Sequence, residues 1–156
     1  MTPTSVFTIT TRLTASPEKI WQRVTTPEGI AHELYPWLSM TFPKSVKALT
    51  PETVPLGKRL CRSWVLLFGV IPVDYDDVTL VELDPPRRFL EKSPMLSMAH
   101  WSHERTIAPA PGGASLTDTL TFAPRLALAA PLAKIIVKAL FTHRHSRLAS
   151  WFGTGR

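Results

Sequence analysis

The chain holds a single cysteine, Cys61, so no internal disulfide can form and nothing in its cysteine usage ties it to an oxidising compartment. No stretch of about 18 residues is free of both charge and proline, which argues against a helical membrane span. Glycine supplies only 7 of 156 residues and charge of neither sign collects into a block, so low-complexity and disordered readings fall away. There is no glycine-rich phosphate loop, no dinucleotide fingerprint and no G-x-S-x-G nucleophile turn. The opening MTPTSVFTITTRL lacks the basic segment and apolar block of a signal peptide, and cytoplasm is the expected compartment.

What remains is a globular composition, 44% hydrophobic and 19% charged, of a length that suits one domain over residues 1–156. The net charge of +6 is dispersed and thickens only near the end, at Lys134, Lys138, Arg144 and Arg147. No nucleic-acid motif accompanies it, so nucleic acid is not an expected partner. His143, Arg144 and Arg147 read as a basic cluster on a solvated helix face, with an anion clamp as the alternative.

Val6, Thr8, Thr10 and Arg12 alternate with Phe7, Ile9, Thr11 and Leu13, the period of a strand. Ser16-Pro17-Glu18 and Thr26-Pro27-Glu28 then give two successive helix starts. Each has a hydroxyl cap, a proline whose missing N–H costs nothing at the first turn, and an early acid favoured by the helix dipole. Pro36 closes the second helix. Between Ser39 and Lys58, Pro43, Pro51, Pro55 and Gly57 suit a short edge strand and loops. Long β segments follow, RLCRSWVLLFG, VDYDDVTLVEL, RRFLEKS, SMAHWSHERTIA and ASLTDTLTFA, separated by Gly and Pro turn signals. The last stretch, LALAAPLAKIIVKALFTHRHSRLASWFG, is a long helix in which Leu132, Ile136, Leu140, Arg144, Leu148 and Trp151 share a stripe, started or kinked by Pro131 and stopped by Gly153.

The order predicts an α+β fold in which a curved antiparallel sheet of about seven strands wraps a long C-terminal helix, with two short helices after the first strand. A sheet curved enough to bury a helix leaves a gap between the two, and such gaps hold ligands.

The segments VFTITTRLTASPEKIWQRVTTPEGIAHE, VTLVELDPPRRF, MAHWSHERTI, GGASLTDTLTF and LFTHRHSRL, in this order, resemble the START-like (SRPBCC) superfamily of helix-grip proteins. That superfamily includes polyketide cyclases and dehydrases, birch-pollen-allergen-like proteins and lipid-transfer domains. The run from HWSHERT through LTDTLTF to LFTHRH is similar to a group of small bacterial ligand-binding members. The resemblance implies a deep cavity between the concave sheet and the last helix, and no particular chemistry.

Alternation puts Trp101, His103, Arg105 and Ile107 on one strand face, which we assign to the cavity. His103 and Arg105 would then be orienting polar groups, or else cross-strand pairs at the sheet rim. Asp118 shares a face with Leu116, Leu120 and Phe122, where a lone carboxylate is costly, so His103 or Arg105 is its expected partner. The His103/Asp118 pair is also the candidate acid–base couple. Phe89 and Glu91 alternate in the same sense, which makes Glu91 either a second inward carboxylate or a rim residue. Trp64, Tyr75 and Trp101 are candidate lining aromatics, and Ile136, Leu140 and Arg144 are the helix's candidate contribution.

The 5 histidines do not converge on a metal: His100 and His103 point to opposite strand faces and His143 and His145 diverge on a helix, so neither metal nor cofactor is expected. Cys61 reads as an inert buried thiol.

Three functions fit. The first is a binder of a small hydrophobic molecule, lipid, aromatic or polyketide-like, with Arg105 or His103 on its polar end. The second is a cyclase or dehydrase using the same cavity through His103 and Asp118. The third is a peripheral module whose basic last helix touches anionic lipid while the cavity accepts a lipid.

Overall fold

The computed structural model describes residues 3–154. Strand β1 (Ser5–Leu13) leads into helices α1 (Pro17–Val24) and α2 (Pro27–Leu34) and a short edge strand, β2 (Leu38–Met40). Then come β3 (Arg59–Leu67), β4 (Ile71–Asp84), β5 (Arg88–Lys92), β6 (Met98–Ala110) and β7 (Gly113–Pro124). A single 3-10 turn (Ala127–Ala129) precedes α3 (Ala130–Phe152). The start signals act as read. Ser16 accepts from the Lys19 N–H and Thr26 from the Gly29 N–H, each satisfying a donor of the first helical turn.

The strands form one antiparallel sheet in the order β1-β7-β6-β5-β4-β3-β2, so the chain ends of the sheet meet across β1 and β7. Irregular register between Arg59 and Cys61, between Val65 and Leu66, between Leu80 and Glu82 and between Met98 and His100 breaks the ladders where the sheet must bend. The fold is the α+β helix grip that the element order predicts.

Helix α3 lies across the concave face. Its buried residues are Ala133, Val137, Phe141, Arg144, His145 and Leu148. The expected stripe is thereby shifted: Leu148 and Arg144 belong to it, but Leu132, Ile136 and Trp151 are more than half exposed. The reason is that small Ala133 and Val137 let the helix approach β7, packing with Leu120 and Phe122, while the larger neighbours are turned toward the edge of the groove.

A second cluster, built from Leu13, Ile20, Trp21, Val24, Leu80, Phe89, Ile107, Leu116 and Leu148, plugs the other end of the groove with α1. Burying one such side chain contributes about 1.5–3 kcal/mol, so this end is solid core. The helix terminus is tied to it: Gly153 adopts φ +82°, a conformation that L side chains rarely take, and its carbonyl accepts from the Thr14 N–H just past β1.

Candidate functional site

Between the concave sheet face and α3 lies a cavity of about 720 Å³. Its wall is largely apolar, with Met40, Val65, Val78, Phe89 and Trp101 from the sheet and Leu34 from α2. Ile136, Val137, Leu140 and Phe141 line it from the helix. The large apolar lining residues that stay exposed, Trp37, Val73, Leu132 and Ile136, mark its mouth.

Seven polar side chains form a continuous network at the inner end. Asp118 on β7 is fully buried and takes four donors. His103 Nε2 (2.7 Å) and Arg105 Nε (2.7 Å) reach one oxygen, Arg105 Nη2 (2.7 Å) and His145 Nε2 (2.8 Å) the other. A carboxylate has about four lone-pair sites, so Asp118 is saturated. Arg105 also forks onto Glu33 of α2 at 3.1 and 2.9 Å, and Arg144 of α3 donates to the same Glu33 at 3.0 Å. The Thr11 hydroxyl lies 2.7 Å from His145 Nδ1 and carries the network to β1.

Burial alone would raise both acids. The Arg105 guanidinium beside each of them, with His103 at Asp118 and Arg144 at Glu33, outweighs burial and holds Asp118 well below the usual carboxylate range and Glu33 below it. The same two carboxylates push Arg105 up against its own burial.

The second polar region lies on the sheet side of the cavity. Asp76 of β4 is in phase with Val78 and Leu80 and lines the cavity with Glu91 of β5. Glu91 accepts from the Ser93 hydroxyl at 3.0 Å and from Trp101 Nε1 at 3.4 Å, and His103 Nδ1 is 4.0 Å away. Burial, and then the neighbouring Glu91 carboxyl, push Asp76 well above the usual carboxylate range. Asp74, nearer the mouth, is held by the Tyr75 N–H and by Ser97.

Of the residues singled out in the sequence, Phe89, Glu91, Trp101, His103, Ile136, Leu140 and Arg144 line the cavity. Glu91 is inward and buried, which removes the rim alternative. Arg105 and Asp118 pair as expected but sit behind the wall, and Leu120 is packed floor beneath the helix. Trp64 and Tyr75 are corrected. They meet edge-to-face, ring centres 5.6 Å apart, on the opposite sheet face, with Arg62 over Tyr75, because Cys61, Ser63 and Val65 take the inward phase of β3.

The solvated basic face of α3 is also corrected. Arg144 is bound to Glu33, Arg147 donates to the His32 carbonyl, and His143 Nε2 donates to the Tyr35 carbonyl, so these residues dock α2 onto α3. Burial raises the Cys61 thiol, consistent with an unreactive side chain.

Glu33, His145 and Asp76 were not among the sequence candidates. Asp76 carried the same signal as Asp118, an acid in phase with apolar neighbours, but flanking Asp74 and Asp77 disguised it. Glu33 lies on an eight-residue helix too short for a phase to be read.

Residues 11–152 match the family model described as domain of unknown function DUF8410. No curated protein matches the sequence. Among solved structures, a protein from Chromobacterium violaceum is similar at TM-score 0.69 and 16% identity, over 96% of this chain and 98% of that one. A START superfamily protein from Mycobacterium smegmatis is similar at TM-score 0.64 and 12% identity, over 96% of each chain. A protein of the dynemicin biosynthetic locus is similar at TM-score 0.59 and 16% identity, over 99% of this chain but 49% of that one. The fold is therefore START-like, as the quoted segments implied.

Proposed function

Since this chain belongs to the DUF8410 family of domains of unknown function, we propose from its site alone that the protein binds a small apolar molecule between the concave sheet and α3. The observation that carries this reading is the 720 Å³ cavity itself, with its largely apolar wall and a few convergent polar groups. Its size falls within the range of about 300–1,000 Å³ typical of small-molecule sites. A lipid, an aromatic or a polyketide-like chain would place its apolar body against Phe89, Trp101, Ile136 and Leu140.

Native mass spectrometry of gently purified protein, followed by organic extraction, tests the proposal. A stoichiometric apolar molecule supports it. Protein that is empty as purified and also fails to take up fatty acids, alkyl alcohols or aromatic fluorophores in titration overturns it.

One observation favours acid–base catalysis in the same cavity as a second reading. His103 lines the cavity while its Nε2 is fixed on Asp118, which leaves Nδ1 as the ring atom turned from the network toward Glu91. Arg105 already pairs with Asp118, and the carboxylate orients the imidazole. In this reading His103→Phe retains ligand and loses turnover; retained turnover refutes it.

A further inference from the structure

The wall of the cavity holds two buried carboxyls, Asp76 and Glu91, with no Lys or Arg beside them among the described residues. Asp76 is only 5% exposed, and its Oδ1 is buried without a hydrogen-bond partner among the described residues. Glu91 stands close enough for the two carboxyls to share a hydrogen bond when one is protonated. Ser63, directly across from Asp76 on β3, also buries a hydroxyl without a partner. Orphaned buried acceptors are rare, because each forfeits its hydration.

No Lys or Arg pairs with Asp76 or Glu91 among the described residues. The nearest base is His103, whose Nδ1 lies 4.0 Å from Glu91. The other groups facing the cavity do not supply a counter-charge. Arg144 is bound by Glu33, His143 by a backbone carbonyl, and Asp74 adds a further acid.

We propose that Asp76 and Glu91 form the polar subsite of the cavity and that its ligand is an amphiphile whose polar end is a protonated amine, seated on the two carboxyls with its apolar body against α3. This assignment rests on the cavity being a ligand site. An ammonium brings the donors that Asp76 Oδ1 lacks, stabilises the ionised form that burial and Glu91 disfavour, and forms hydrogen bonds roughly twice as strong as a neutral donor would. The Trp101 indole, whose Nε1 already reaches Glu91, adds an aromatic surface beside the cation. A fatty acid would instead bring a third carboxyl to the pair.

The test is calorimetric titration with decylammonium, decanol and decanoate at neutral pH, each below its micellar range, on the wild type and on Asp76→Asn and Glu91→Gln. Decylammonium should bind about tenfold tighter than decanol, with decanoate weakest. This preference opposes the protein's net charge of +6, so non-specific attraction cannot produce it. Each substitution should cost decylammonium about tenfold while leaving decanol unchanged, a pattern that a misfolded variant cannot give. Equal binding of all three chains, tighter decanoate, or a ranking untouched by Asp76→Asn overturns the amine assignment and leaves the cavity reading standing. If none of the three binds, the amine assignment falls, and the cavity reading is then decided by the extraction and the fluorophore titrations.

Discussion

Two groups of buried acids lie along the same groove, and they have opposite electrostatic fates. Glu33 and Asp118 are enclosed by Arg105, Arg144, His103 and His145, with nearly every acceptor site filled. Asp76 and Glu91 face the cavity with only Ser93, Trp101 and a more distant imidazole beside them. The first group is finished as structure. It links α2, β1, β6, β7 and α3, elements remote in sequence, and its carboxylates are already committed to cations of the fold. The second group is incomplete without something else, and that is what separates a structural polar cluster from a binding one.

The largest effect expected from breaking this contrast comes from Arg105→Met. Removing the cation strands two buried carboxylates, and such losses cost about 3–5 kcal/mol. Urea denaturation should show the midpoint collapse, and an unchanged midpoint would mean the network carries little of the fold.

Acid probes the same group without mutation. Glu33 and Asp118 titrate lower in the folded protein than in the unfolded chain. Between those two ranges the unfolded chain binds more protons, so their stabilisation is complete above the ordinary carboxylate range and is lost as pH falls toward their folded values. Urea midpoints should drop through that acidic window, and the Glu33→Gln variant should show a shallower drop.

The cavity pair has the reverse sign. Asp76 titrates above its unfolded value, so the fold loses stability as pH rises from the ordinary carboxylate range toward the raised value. Asp76→Asn should therefore stabilise at neutral pH by roughly 1 kcal/mol, the scale of one unsatisfied buried group, and the gain should vanish in acid. Destabilisation at neutral pH would assign Asp76 a structural role.

Trp101→Ala should weaken binding of an apolar probe by about 1–3 kcal/mol, measured by titration. Trp64→Ala, on the opposite sheet face, should change it least of all, within about twofold.

The fold was legible because its punctuation is local. Ser16-Pro17 and Thr26-Pro27 cap their own helices, and period-2 alternation set the inward phase of β6 and β7 correctly, down to Asp118 meeting His103 and Arg105. The site was less legible because depth along a face is not periodic. Trp101 and Arg105 share a face, yet one lines the cavity and the other lies under the α2–α3 junction. On β3 the inward phase belonged to small Cys61 and Ser63, against the expectation that aromatics face in. His145 could be weighed only against His143 as a metal pair, since its true partner is 27 residues away across a turn of the fold.

The tethering of α3 has a mechanical side. From Phe141 to Gly153 the helix is held by Glu33, Asp118, Tyr35, His32 and Thr14. From Ala130 to Ile136 its inward contacts are small and apolar, with Ala133 the one buried residue of that stretch. It is a beam clamped at one end, and thermal bending must concentrate at the free end, beside the cavity mouth. Backbone amides of Lys134–Val137 should exchange with deuterium faster than those of Arg144–Leu148, and occupancy of the cavity should slow the former while leaving the latter where they were.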